Sequence, residues 1–134
     1  MDSSTPGLAE LSRDECLRLL EHADLGRVGV SIDALPAIFP VFLTVVDAAV
    51  VFRTVPGTKL KAAGDGAIVA VEADDYDHTT GEGWSVLVRG VAHELAGGSL
   101  SDIARSRLRT TWIDGAPEHL VEVSIDLVTG RRLR

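Results

Sequence analysis

Short segments rich in apolar residues, one of them strictly alternating with polar residues, recur along the chain between turns, and this pattern predicts β-strands. The patterned segments span residues 27–32, 37–45, 49–53, 67–73, 84–95 and 121–127. Asp33-Ala34 and Asp47 lie between consecutive segments, and such short turns can only join antiparallel neighbours. Gly90 interrupts the longest segment and predicts a bulge or a bend there. The acidic stretch 74–83 is interpreted as a loop.

Two other segments have the spacing of helices. Ser12 and Glu15 match a capping box, so a helix is expected to begin at Ser12 and to stop before Gly26. Its apolar residues share one face that would pack on a sheet; they are Cys16, Leu19, Leu20 and Ala23. A second helix is predicted over residues 99–110, begun by Ser99 or Ser101. Residues 57–64 are expected to form a loop entering a short helix.

These elements predict an α+β protein that is mainly antiparallel β, with a sheet that closes into a small barrel and short helices outside it. The chain of 134 residues is the size of one domain. The sequence therefore predicts a flexible leader over residues 1–10 and a single domain over residues 11–134.

Composition narrows the classes of function. A formal net charge of −7 argues against non-specific nucleic-acid binding, which depends on cationic groups that displace counterions. Cys16 is the one cysteine, so an internal disulfide and a zinc site of several thiolates are excluded. No stretch approaches the roughly 18 apolar residues of a membrane span, and residues 1–7 lack the features of a signal peptide. A cytoplasmic protein that binds neither nucleic acid nor membrane is expected.

The turn after the third predicted strand carries groups suited to an anion. Arg53 and Thr54 end the strand, Pro56-Gly57 turns the chain, and Thr58 and Lys59 open a short helix. Free amides at a helix start favour anions, and a guanidinium, an ammonium and hydroxyls suit a phosphate monoester. The same residues also fit an ordinary strand-turn-helix connection. Neither the GxxxxGK[ST] nor the GxGxxG spacing is present.

No other pattern predicts a catalytic or metal-binding side chain. The four histidines are far apart in the sequence and lack the i, i+4 spacing of metal ligands. Asp74-Asp75-Tyr76-Asp77 lacks the alternating ligands of a calcium loop. The serines lack the context of a nucleophile elbow. The sequence therefore predicts a binding site without a catalytic side chain.

Several spaced motifs together resemble the pyridoxamine 5′-phosphate oxidase-like, flavin-binding split-barrel family. The likeness extends from about Leu11 to the C-terminus and is greatest to the short pyridoxamine oxidase-related and nitroimidazole-resistance-type members. The motifs are Leu25-Gly26-Arg27-Val28-Gly29-Val30, Pro40-Val41, Val51-Phe52-Arg53-Thr54, Gly57-Thr58-Lys59-Leu60 and Gly83-Trp84-Ser85-Val86-Leu87-Val88-Arg89-Gly90.

The resemblance implies a six-stranded Greek-key split barrel that forms a homodimer, with one FMN in each of two clefts at the subunit interface. The residues expected to hold the FMN phosphate are Arg53, Thr54, Thr58 and Lys59. The strand whose backbone runs along the isoalloxazine edge contains Pro40, Val41 and Phe42. Trp84 and Ser85 are expected to complete the site, and Arg131 falls where a neighbouring subunit reaches the cleft or the substrate.

Two departures from the true oxidases bear on the reaction. Residues 38–43 are almost wholly apolar, and the chain ends at 131–134, where those enzymes supply substrate-phosphate contacts. The resemblance thus implies a flavin-binding oxidoreductase whose substrate is not named by the sequence. The alternatives are a non-catalytic flavin or small-molecule sensor, a reductase that uses the deazaflavin F420 on the same fold, and a dimeric structural domain with an empty cleft.

Overall fold

The computed structural model describes residues 8–54, 62, 65–108 and 119–133. Strands dominate these ranges, and two helices accompany them. In chain order the elements are β1 (Leu8–Glu10), α1 (Arg13–Glu21), β2 (Leu25–Ile32), β3 (Leu35–Val46), β4 (Ala49–Thr54), β5 (Asp65–Tyr76), β6 (Gly83–Glu94), α2 (Ser99–Arg107), β7 (His119–Ser124) and β8 (Leu127–Leu133). Neither helix in these ranges is long and apolar enough to cross a membrane.

The strands form one antiparallel sheet in the order β1-β8-β6-β5-β2-β3-β4-β7. A further pairing of β6 with β7 closes the six strands from β6 to β7 into a barrel, and β8 and β1 extend it. β6 pairs with β8 through its first half and with β7 through its last residues. The predicted mainly antiparallel six-stranded barrel is confirmed.

Gly90 lies where β6 changes partner from β8 to β7. A Cβ atom at this position would lie 1.6 Å from the backbone oxygen of Ser124. Only a glycine allows β6 and β7 to approach so closely, and the bend predicted at Gly90 is the point at which the barrel closes.

Both short turns predicted from the sequence are present. Asp33 and Ala34 have φ values of 51° and 65°, and Asp47 and Ala48 have 49° and 60°. Two successive left-handed residues define the tight hairpin turn that matches the twist of the flanking strands. These turns place β2, β3 and β4 side by side in sequence order.

The apolar residues form two clusters, one on each side of the barrel wall. The larger fills the barrel and includes Val28, Phe52, Val71, Val88 and Val123. The smaller lies between the wall and α2 and includes Val51, Ala104 and Leu120. A residue of β4 therefore faces either the barrel interior or α2, depending on its parity along the strand.

The capping box of α1 is confirmed. The Glu15 amide donates to Ser12 Oγ at 3.2 Å, and the Ser12 amide donates to Glu15 Oε1 at 3.1 Å. α2 differs from its prediction because its N-cap is Gly98, without a side-chain hydrogen bond. Neither Ser99 nor Ser101 caps it, and the helix ends at Arg107.

The structure differs from the sequence expectations in three places. The segment 121–127 is not one strand, because the chain turns at Ile125-Asp126 and β8 runs back along β6. The loop expected over 74–83 is shorter, since β5 and β6 pair as far as Tyr76 and Gly83 and leave only residues 77–82 between them. Leu8–Glu10, expected in a flexible leader, pairs with β8.

Candidate functional site

Arg53 and Thr54 are the last residues of β4, and both are buried. Arg53 is 7% exposed and Thr54 is 8% exposed. Arg53 lies on the same side of β4 as Val51, which packs beneath α2. Thr54 lies on the same side as Phe52, which faces the barrel interior. Arginine is rarely buried this deeply unless its charge is compensated. The rest of the predicted anion turn, including Thr58 and Lys59, lies outside the described residues.

The predicted ring strand is β3, and its residues alternate between the two sides of the wall. Val41 belongs to the barrel core, whereas Pro40 is exposed and Phe42 packs on the cluster beneath α2. Leu43 pairs with Phe52, so the next positions on the two strands, Phe42 and Arg53, are neighbours on the outer side. The structure therefore brings Arg53 close to Phe42.

Ser85 and Arg131 are directly opposite each other on β6 and β8. Trp84 lies on the other side of β6 from Ser85 and packs against the barrel core. It lines a pocket of about 200 Å³ at the β5–β6 hairpin, together with Tyr76 and Arg132. Trp84 and Ser85 therefore lie on opposite sides of the sheet, although the resemblance implies one shared site for them.

One transverse row of the sheet contains four of the predicted site residues. Its outward residues, from β4 through β3, β2, β5 and β6 to β8, are Arg53, Phe42, Leu25, Asp74, Ser85 and Arg131. Four strand spacings separate β4 from β6, which is about 19 Å along a curved sheet. A single chain therefore divides the predicted site into an Arg53 end and a Ser85 end.

The outward residues of β2, β3, β5, β6 and β8 form the surface between these two ends. We call this surface the outer face. It carries large exposed apolar side chains, since Ile38 is 74% exposed and Ile68 is 78% exposed. Two adjoining pockets of about 380 and 410 Å³ lie on it, and both have Gly29, Ile38 and Ala70 in their lining. A large exposed apolar patch is typical of a surface that binds a partner or ligand.

The outer face carries one group of charges that sequence reasoning missed. Arg27 Nη1 donates to Glu72 Oε1 at 2.6 Å and to Asp74 Oδ2 at 3.3 Å. Burial and the neighbouring Asp74 raise the pKa of Glu72 to about 7, and Arg27 opposes this shift. Arg27 and Glu72 are 45 residues apart, so only the pairing of β2 with β5 reveals the cluster.

A second pair missed by the sequence lies beside Thr54. His119 is opposite Thr54 across β4 and β7, and its Nδ1 is paired with Glu94 Oε2 at the end of β6. No sequence spacing links these two residues. Within the described part of the chain, no three His, Cys, Asp or Glu residues gather as a metal site.

Comparison with known proteins identifies the family. A family model described as "Pyridoxamine 5′-phosphate oxidase" matches residues 12–132. The chain therefore belongs to the pyridoxamine 5′-phosphate oxidase family, and the resemblance found in the sequence motifs is confirmed. An uncharacterized protein of Mycobacterium tuberculosis is 41% identical over 132 residues, which cover 94% of this chain and 86% of that protein.

Two solved structures support the same assignment. The FAD-binding protein of Mycobacterium smegmatis has a TM-score of 0.73 and 36% identity, and the match covers 95% of this chain and 99% of that one. An FAD-binding protein of Mesorhizobium loti has a TM-score of 0.84 and 26% identity, covering 95% of this chain and 97% of that one. The fold is therefore shared over nearly the whole length of each chain.

Proposed function

We propose that this protein binds a flavin phosphate and acts as a flavin-dependent oxidoreductase in a homodimer. The observation that carries the proposal is the position of Arg53, buried at the end of β4 beside Phe42 in a chain of this family. Two relatives with known structures are described as binding FAD. FMN is the expected cofactor, and FAD contains the same riboflavin phosphate unit.

The residues present fit such a cofactor. Arg53 supplies a planar set of donors for a phosphate, and Thr54, Thr58 and Lys59 are proposed to complete the anion site. The ring would lie along the backbone of β3 at Pro40, Val41 and Phe42. When bound, the flavin supplies the electron chemistry, and this chain supplies binding, orientation and exclusion of water.

The two separated ends of the site support the proposed homodimer. Two copies that meet through the outer face would be related by a two-fold axis in the plane between them. An axis along the strands near β2 and β5 would bring the Arg53 end of one copy opposite the Ser85 and Arg131 end of the other. Each cleft would then contain residues of both chains, and the exposed Ile38 and Ile68 would be covered.

A non-catalytic flavin-binding or sensor protein is the second candidate. Its support is the outward surface of β3, where Pro36, Ile38, Pro40 and Phe42 offer no proton donor. Kinetics separates the two candidates. Reduction of bound flavin followed by reoxidation by an added acceptor marks the enzyme, whereas reduction without turnover by any acceptor marks the sensor. Reduced F420 is included among the reductants to test the deazaflavin alternative.

The experiment that tests cofactor binding compares FMN, FAD, F420 and riboflavin by absorbance and fluorescence titration. Arg53→Gln removes a charged hydrogen-bond partner, which is worth about 1.5–3 kcal/mol, so FMN should bind roughly 10- to 150-fold more weakly. Riboflavin lacks the phosphate, and its affinity should not change. Arg105→Gln, an exposed arginine on α2, is the matched control and should bind FMN normally.

Unchanged riboflavin affinity would also show that Arg53→Gln is folded. Equal loss of riboflavin and FMN affinity would mean that Arg53 does not contact the phosphate. If the native protein binds none of the phosphorylated cofactors below about 100 μM, weaker than about −5.5 kcal/mol, the proposed function is wrong.

A further inference from the structure

The middle of the outer face contains a charge cluster formed by Arg27, Glu72 and Asp74. β2 and β5 carry it, and these are the central strands between β8 and β4 in the sheet order. Apolar residues flank it, because Leu87 is opposite Glu72 and Pro40 is opposite Arg27. With both carboxylates ionised the cluster has a net charge of −1.

Among the residues that the structure describes, few groups face Glu72. β2 contributes Arg27, and β5 contributes Asp74 two residues further along the strand. β6 contributes Leu87, with Ser85 and Arg89 at the adjacent outward positions, where Arg89 is opposite Ala70. Arg131 of β8 is one strand further away, opposite Ser85. One arginine is therefore in contact with two carboxylates.

Assembly through the outer face would bury this uncompensated charge twice. The two-fold axis proposed near β2 and β5 brings the clusters of both copies together in apolar surroundings. A buried charge without compensation is costly, and a carboxylate in such a place takes up a proton instead. Protonation of Glu72 leaves Arg27 and Asp74 as a neutral ion pair in each copy.

We propose that formation of the homodimer takes up protons at Glu72, so that the cofactor cleft assembles more tightly at weakly acidic than at alkaline pH. The inference rests on the proposed dimer and does not require that the cleft holds a flavin. It adds a regulatory property to that interface, namely control of assembly by pH.

The direction of the effect follows from proton linkage. The pKa of Glu72 is raised to about 7 in the separate chain, and further burial in the dimer raises it again. Below that pH both states hold the proton, and the dissociation constant is constant. Above it the separate chain loses the proton while the dimer retains it, so the dimer dissociates more readily as the pH rises.

Sedimentation equilibrium of the full chain without added flavin tests the proposal at about pH 6 and about pH 8.5. The dissociation constant of the native protein should rise at least about tenfold between these values. For Glu72→Gln the rise should be less than about threefold, because the neutral amide mimics the protonated carboxyl. Asp75→Asn removes one carboxylate from the opposite side of β5 and should keep the native rise.

Asp74→Asn provides an independent variant, because Arg27 alone then neutralises the charge of Glu72. The dissociation constant of this variant should also change little with pH. A constant dissociation constant in the native protein, or a native rise in both Glu72→Gln and Asp74→Asn, would overturn the inference. A pH-independent dimer that still binds flavin would leave the proposed function intact. A protein that is monomeric at both pH values would overturn the inference and the proposed dimer together.

Discussion

Two serines at helix starts differ in how much they stabilise their helices, because only one of them forms reciprocal hydrogen bonds with a capping-box glutamate. Ser12 accepts from the Glu15 amide while the Glu15 carboxylate accepts from the Ser12 amide. These hydrogen bonds lower the pKa of Glu15. Their contribution to the free energy of unfolding is therefore fully present above the ordinary pKa of a glutamate, and it is lost as the pH falls through the lowered pKa. At Ser99, by contrast, the cap position belongs to Gly98.

The substitution Ser12→Ala should therefore lower the free energy of unfolding by about 1 kcal/mol near neutral pH, the usual cost of losing an N-cap. Ser99→Ala is the matched control, and its effect should lie within about 0.5 kcal/mol of zero. Urea unfolding followed by circular dichroism measures both. Equal losses in the two variants would show that the capping box does not stabilise the fold.

At the scale of elements, the sequence predicts those strands whose pattern changes at their ends. Asp33-Ala34 and Asp47 interrupt the alternation, so the starts and ends of β2, β3 and β4 are predicted to within two residues. The alternation of Val121, Val123, Ile125 and Leu127 continues through the turn between β7 and β8. The hydrophobic pattern therefore gives no sign of that turn. The extra residues of β5 and β6 beyond the predicted ends are stabilised by pairing with each other, which local composition does not encode.

Barrel closure depends on the close approach of β6 and β7 at Gly90. Gly90→Ala places a methyl group against the Ser124 carbonyl, so the strands must separate, and we expect a loss of about 2 kcal/mol or more in unfolding free energy. Gly29→Ala is the matched control, because its Cβ would contact Ala70 at an ordinary 3.7 Å. Its effect should be below about 1 kcal/mol.

Denaturant unfolding of both glycine variants at one protein concentration gives the comparison. Similar midpoints for Gly90→Ala and Gly29→Ala would mean that β6 and β7 do not require this approach. A selective loss in Gly90→Ala would identify Gly90 as the residue that allows the sheet to close.

At the scale of the whole molecule, the site is less predictable than the fold. Arg53 and Thr54 are contiguous in the sequence, and their burial is local to one strand end. Ser85 and Arg131 are brought together by the pairing of β6 with β8. The charge cluster likewise depends on the pairing of β2 with β5. Motifs therefore locate the Arg53 end of the proposed site, whereas the polar groups of the outer face emerge only from the register of distant strands.

The outer face gives a direct test of assembly. Ile38→Lys would place an ammonium in an apolar part of the proposed interface, twice in a symmetric dimer, and a desolvated charge there should prevent association. Ile103→Lys, on the exposed surface of α2, is the matched control and should remain a dimer. Light scattering after size-exclusion chromatography measures the mass of each variant, and circular dichroism verifies that both are folded. The folded Ile38→Lys monomer should also lose FMN binding, because the Arg53 end of the cleft no longer meets the Ser85 and Arg131 end of a second copy. A dimer that tolerates Ile38→Lys would mean that a different surface joins the chains.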